Sequence, residues 1–207
     1  MIQNQIRGVR KLCSVTFLLL TPVLLAVIPA RAAGPKAYVG NFKDNTVSVI
    51  DIAEKRVLTT VPIPPGPHGI VITPDNRWVY VASDGASTVS VIDTTTDKLI
   101  ENIEVGKNPH GLAATPDGKF VLVAVYDTDS VAFIDTANRK VVGTVPVGKP
   151  HNIAVHPKGA VAYVGSQTPG NFSLVIIDLQ GRTVKENVPS IRLPAVWSSG
   201  LMGRIYT

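Results

Sequence analysis

Cysteine is almost missing from this sequence of 207 residues. Its single copy, Cys13, lies in an N-terminal stretch that is basic and then apolar. A chain without further cysteine has no disulfide framework, no thiolate nucleophile and no Cys-x-x-Cys-His for covalent haem. Phosphate-loop and Gly-x-Ser-x-Gly sequences are missing as well. These absences disfavour the common thiol, haem, nucleotide-dependent and serine-hydrolase classes.

The N-terminal stretch has the layout of a secretory signal. Basic residues at 7, 10 and 11 precede an apolar run from 12 to 28, and Ala30-Arg31-Ala32 supplies small residues for cleavage. Pro22 interrupts the run, which is also shorter than the ~20 apolar residues of a membrane span. An uncleaved anchor is the alternative. We predict a signal peptide over residues 1–32, a mature domain over 33–207 that is exported to the periplasm or beyond, and no membrane span after cleavage.

The basic charge of the chain belongs to this leader. Four of the 20 basic residues and none of the 15 acidic residues lie in it, so the mature part has 16 basic and 15 acidic side chains. A nucleic-acid-binding domain usually has a basic excess. The near-neutral mature chain therefore argues against nucleic acid as a partner.

No stretch of the mature sequence has the apolar spacing of an amphipathic helix. Short runs rich in β-branched residues alternate instead with Gly, Pro, Asn and Asp, which is typical of strands and turns. Strands are predicted at 38–41, 46–51 and 56–63, and then in one full repeat at 68–73, 78–83, 88–93 and 98–105. Four antiparallel strands in 40–45 residues form a β-propeller blade. We predict an all-β propeller with about four blades, in preference to an open β-solenoid.

The repeat is marked by Pro67-His68-Gly69, Pro109-His110-Gly111 and Pro150-His151-Asn152, so successive histidines are 42 and 41 residues apart. A second marker is an aspartate that ends the third strand of each unit, at positions 51, 93, 135 and 178. We interpret these aspartates as turn caps. Trp78 and Trp197 are predicted to pack in the core or between blades, and His156 to lie in a surface turn.

Several of these segments resemble a known repeat family. Tyr38-Val39-Gly40-Asn41, the run 46–51, and Thr115-Pro116-Asp117-Gly118-Lys119 are similar to the repeat of the YVTN-type seven-bladed propeller proteins, over about residues 36–178. The resemblance implies a scaffold whose loops bind a protein, a surface polymer or a small ligand, and at least one relative binds DNA. Seven blades need roughly 290 residues. We therefore expect a four-bladed ring or a truncated longer propeller, and favour truncation.

The first strand of each blade lines the channel of a propeller, so His68, His110 and His151 are expected at one mouth of it. Adjacent first strands are expected some 10 Å apart. Three converging imidazoles are able to hold copper or zinc, to contact a ligand, or only to bond neighbouring backbone. We favour the structural role and no cofactor, because repeats copy incidental residues and the fourth copy has Pro194-Ala195.

Two functions remain open. The first is a non-enzymatic exported scaffold that binds through its loop face and channel mouth. The second is a periplasmic enzyme, or its accessory, that depends on a metal or redox cofactor and has the channel histidines at its site.

Overall fold

The computed structural model describes residues 34–189, which form 15 β-strands and no α-helix. One 3₁₀ turn, Tyr126–Thr128, interrupts them. The strands are β1 Lys36–Asn41, β2 Thr46–Asp51, β3 Arg56–Pro62, β4 Pro67–Ile72, β5 Trp78–Ser83, β6 Thr88–Asp93, β7 Lys98–Glu104, β8 Pro109–Ala114, β9 Phe120–Val125, β10 Ser130–Asp135, β11 Lys140–Pro146, β12 Pro150–Val155, β13 Val161–Ser166, β14 Ser173–Asp178 and β15 Thr183–Pro189.

The strands form four antiparallel sheets in chain order, which we call blades 1 to 4. Blade 1 contains β1–β3, blade 2 β4–β7, blade 3 β8–β11 and blade 4 β12–β15. Each strand pairs with the next along the chain, so every blade is a meander. The predicted all-β fold of four-stranded units is confirmed over the described residues.

The first strands of the full blades lie against one another. β8 contacts β4 of blade 2 and β12 of blade 4, and β4 also contacts β1. The last strand of each blade lies at the outside: β15 is exposed along its whole length, and β3 buries a single residue. The Pro-His segments therefore lie on the inner strands.

The core lies between blades, because each middle strand presents apolar side chains on both faces. In β9, Val121, Val123 and Val125 pack with blade 2, whereas Leu122 and Ala124 pack with blade 4. All five side chains are fully buried. A third cluster joins blades 1 and 2 in the same way. β-branched residues suit these positions because they pack well on a pleated surface.

The recurring aspartates hold the turns between the third and fourth strands. Their carboxylates accept backbone N–H groups two or three residues ahead, which confirms the predicted caps. The bonds are Asp51 from Glu54, Asp93 from Thr95 and Thr96, Asp135 from Asn138, and Asp178 from Gly181.

The same turns also join neighbouring blades. Each contains a left-handed residue, among them Asp97, Arg139 and Arg182. Asp97 bonds Lys36 of blade 1 at 2.7 Å, and the guanidinium groups of Arg139 and Arg182 lie over the rings of Trp78 and Phe120 in the preceding blade. Trp78 therefore packs between blades, as predicted.

The predicted leader, the strand at 193–198 and Trp197 lie outside the described residues. Within residues 34–189, no helix has the length and apolar character that a membrane span needs.

Candidate functional site

The structure brings His68, His110 and His151 together; we call these three residues the histidine cluster. The rings of His110 and His151 stack with centroids 4.7 Å apart. His68 lies edge-on to both, at 4.8 Å from His110 and 5.8 Å from His151. One nitrogen of each ring lies within 4.8 Å of the others. The convergence predicted from the repeat is therefore present.

A one-residue bulge sets the direction of each histidine. Pro67 pairs with Ser83 and Ile70 with Val81, so three steps along β4 oppose two steps along β5. β8 has the same shift between Pro109 and Leu112, and β12 between Pro150 and Ile153. A bulge leaves one residue out of the ladder and re-aims its side chain.

The glycine after each histidine allows neighbouring first strands to touch through their backbones. A Cβ on Gly111 would lie 2.5 Å from the carbonyl oxygen of His151, and a Cβ on Gly69 would meet the carbonyl oxygen of His110 even more closely. Real Cβ atoms do not approach carbonyl oxygens so closely. The strands are thus nearer at this point than the ~10 Å sheet spacing expected from the sequence, which explains the short distances between rings.

Aromatic and cationic side chains from the nearby loops surround the cluster. Phe42 lies 6.5 Å from His68, and Tyr126 lies 5.3 Å from His110, with the Lys149 ammonium 5.1 Å above the tyrosine ring. These three residues were not predicted from the sequence. A signal exists for Tyr126 in the strand register, because Tyr126 directly follows Val125, which pairs with Pro109 of the Pro-His segment.

The comparisons with known proteins agree with this architecture. The model of the YNCE-like beta-propeller family matches residues 26–115, somewhat less than half of the chain. The chain is a β-propeller repeat protein. The resemblance predicted from its repeats is thereby confirmed. A comparison with curated proteins found no match.

Two solved structures are similar to the propeller. One is Kuenenia stuttgartiensis hydrazine synthase, which is 27% identical with a TM-score of 0.73; the match covers 76% of this chain and 47% of that one. The other is a functionally unknown protein from Desulfotomaculum acetoxidans, 22% identical with a TM-score of 0.57, covering 67% and 46%. The propeller spans about half the length of both.

Burial disfavours the charged form of the two inner histidines of the propeller, His110 and His151. Burial lowers the pKa of His110, and the neighbouring imidazoles lower it further, against the opposing effect of Asp84 and Asp127. Burial also lowers the pKa of His151, with a contribution from His68. A neutral imidazole has a free lone pair, the form that accepts a hydrogen bond or binds a metal.

Two ring nitrogens of the cluster are buried without a hydrogen-bond partner among the described residues. They are Nδ1 of His110 and Nδ1 of His151. The other nitrogen of His110, Nε2, lies 3.2 Å from the side-chain amide of Asn108. Buried polar atoms in native proteins are nearly always satisfied, so an unpaired one calls for an explanation.

The opposite end of the strands contains His156, the fourth histidine, and a cavity. His156 is half-buried in its turn, where its Nδ1 accepts the backbone N–H of Lys158 at 3.1 Å. A cavity of about 620 Å³ opens there between blades 3 and 4, with Lys119, Lys158 and Arg182 in its lining. Lys119 pairs with Asp117, and Arg182 stacks on Phe120. This cavity is an open groove between turns, so its size alone does not outweigh the histidine cluster.

Proposed function

We propose that the protein is an exported β-propeller scaffold that binds its partner at the end of the blades where the histidine cluster lies. One observation carries the proposal: three imidazoles from three successive blades converge there within 4.8 Å. Phe42, half exposed, and Tyr126 extend that surface with apolar rings. Aromatic side chains beside a few polar groups are typical of binding sites.

The partner is a protein, a surface polymer or a small ligand. Nucleic acid is disfavoured, since the mature part has 16 basic and 15 acidic side chains and phosphate binding depends on an excess of basic charge. Export is supported by the basic and apolar leader with its Ala30-Arg31-Ala32 site.

Site-specific photocrosslinking in cells of the source organism tests both parts of the proposal. The photoreactive residue p-benzoylphenylalanine replaces Phe42 beside the histidine cluster or, as a matched control, Ile52. The two side chains are 51% and 50% exposed and lie at opposite ends of blade 1. We expect ultraviolet-dependent adducts from position 42 and few from position 52. The crosslinked chain should begin at Ala33 by mass spectrometry and appear in the exported fraction.

Equal crosslinking from both positions, or crosslinking from position 52 alone, would show that the partner does not bind at the histidine end. A chain that keeps Met1 would overturn cleavage at Ala33, and its absence from the exported fraction would overturn export. Neither outcome depends on knowing the partner in advance.

A second candidate is a periplasmic metal- or redox-cofactor-dependent enzyme, or its accessory. The histidine cluster favours it, because imidazoles are common ligands of catalytic metals. The similarity to the hydrazine synthase structure adds a weak hint in this direction, at 27% identity over 47% of its length. The scaffold is the better supported function, because the β-propeller fold itself is what the comparisons support.

A further inference from the structure

We propose that His68, His110 and His151 bind one divalent transition-metal ion, and that Cu²⁺ binds more tightly than Zn²⁺. This inference rests on the proposed function in that it names a ligand for the same end of the blades. It depends on the geometry of the three side chains.

The donor set determines the class of metal. Three imidazoles with no carboxylate among them suit copper, zinc and nickel, whereas magnesium and calcium prefer oxygen ligands. Zn–N bonds of 2.0–2.1 Å in a tetrahedral site place the nitrogens about 3.3 Å apart. The three nitrogens already lie within 4.8 Å of one another. Binding one ion therefore requires the nitrogens to close a gap of up to about 1.5 Å, and the stacked rings of His110 and His151 to turn so that their nitrogens point at one ion.

Two unpaired ring nitrogens in the histidine cluster favour a bound metal ion. Nδ1 of His110 and Nδ1 of His151 are buried and have no hydrogen-bond partner in the described part of the chain. Leaving such atoms unpaired costs free energy. Their rings stack 4.7 Å apart and face the exposed ring of His68. A metal ion bound through these two Nδ1 atoms would satisfy both of them.

Asn108 contacts the His110 ring on the side away from Nδ1. Its side-chain amide N–H donates to Nε2 of His110 at 3.2 Å and to Asp84. A metal-bound histidine almost always donates its other ring N–H to an oxygen. Metal binding through Nδ1 of His110 therefore requires the Asn108 amide to turn its oxygen toward Nε2.

The site keeps at least one coordination position for an external ligand. Among the described residues, the cluster supplies three imidazoles. His68 is exposed, which leaves the metal accessible from solvent. Three protein ligands with an open position are typical of zinc sites that bind water or substrate, whereas structural sites are closed by four.

Titration of the purified mature protein with Zn²⁺ tests the proposal. The protein is prepared without a histidine tag, stripped with EDTA and followed by calorimetry. We expect one ion per chain. His68→Ala, His110→Ala and His151→Ala should each weaken binding by more than about 100-fold, because loss of even an outer partner of a ligand costs 10–100-fold. His156→Ala, at the other end of the blades, is the matched control and should bind like the unaltered protein.

Two further measurements keep the test valid if a variant unfolds. X-ray absorption of the unaltered protein with one equivalent of Zn²⁺ should show three histidine nitrogens at 2.0–2.1 Å. Added Cu²⁺ should displace the Zn²⁺, since it forms the tighter complex with a given nitrogen site. Binding that survives His110→Ala unchanged, that is lost in His156→Ala, or that shows carboxylate oxygens in place of imidazoles would overturn the proposal.

Crosslinking of a variant with all three histidines changed to alanine separates this inference from the proposed function. If adducts from position 42 persist in a variant that does not bind metal, the protein binds its partner without the ion, and the proposed scaffold function is supported. A Zn²⁺ site of three imidazoles without such adducts supports the ion and refutes the binding scaffold.

Discussion

The glycine after each histidine determines how closely the blades meet. At Gly69 and Gly111, a backbone carbonyl oxygen of the next blade occupies the space that a side chain would fill. In blade 4 the equivalent residue is Asn152. Glycine is required at these two positions because there is no space for a Cβ, and not because of backbone conformation, since neither glycine has a positive φ. The same contact that joins the inner strands also holds the imidazoles near one another.

Gly111→Ala should destabilise the protein by about 1–3 kcal/mol, the usual cost of forcing an extra carbon into a packed interior. The new methyl group would lie 2.5 Å from the carbonyl oxygen of His151 and 2.9 Å from Cα of Asn152. Denaturant unfolding measures the change. Gly143→Ala is the control, because its Cβ would meet only the end of the flexible Arg182 side chain, at 3.5 Å. Equal stability of the two variants would contradict the close approach of β8 and β12.

At the scale of elements, side-chain hydrogen bonds hold the turn between the first and second strands in each of blades 2, 3 and 4. Thr73 donates to Asp75 at 2.5 Å and Thr115 to Asp117 at 2.6 Å, while the same carboxylates accept the N–H groups of Arg77 and Lys119. His156 replaces the threonine in the third copy and bonds the backbone directly. The turn thus keeps its place in each blade while its chemistry changes.

These turns should make the free energy of unfolding depend on pH. Hydrogen bonds from Thr73 and Thr115 lower the pKa of Asp75 and of Asp117 below the ordinary value. The unfolded chain, with carboxyl pKa values of about 3.9, then binds more protons than the native one as pH falls through about 4. The contribution is complete above that pH and is lost below it.

The double variant Asp75→Asn, Asp117→Asn tests this effect. Its amide oxygens still accept hydrogen bonds but do not titrate, so its stability should fall less steeply between about pH 5 and pH 2. Thermal unfolding at a series of pH values measures both curves. The slope should not vanish, because Asp93 and Asp129 also have lowered pKa values. Parallel curves would show that the two turns contribute nothing to the acid dependence.

Local sequence was sufficient for the strands but not for the contacts between blades. The runs predicted at 46–51, 78–83 and 88–93 form β2, β5 and β6 residue for residue, because alternating β-branched residues between turn formers leave few alternatives. The shared position of the three histidines followed from their spacing. The bulge at each Pro-His segment did not, since it is a shift in the register between the first and second strands that the local residues do not reveal. Tyr126 and Phe42 were missed for a related reason, because loop conformation places them.

At the scale of the described propeller, the buried apolar clusters lie between blades rather than within one blade. One buried cluster joins blades 1 and 2, a second joins blades 2 and 3, and a third joins blades 3 and 4. Each middle blade therefore belongs to two clusters. In repeat proteins of this kind, stability is close to a sum of nearest-neighbour terms. A cavity made on one face of a blade should then affect one neighbour more than the other.

Leu122 and Val123 allow a direct test, because they are adjacent in β9, both fully buried, and face opposite neighbours. Leu122→Ala leaves a cavity toward blade 4 and should cost about 2–5 kcal/mol. Val123→Ala leaves a smaller one toward blade 2. Hydrogen exchange followed by mass spectrometry should show faster exchange in β13 and β14 for Leu122→Ala, and in β5 and β6 for Val123→Ala. If both variants loosen blades 2 and 4 equally, the blades unfold as one cooperative unit and the nearest-neighbour description fails. If the effects separate, each interface between blades opens on its own. The histidine cluster has residues from three blades, so the opening of either interface should disturb it.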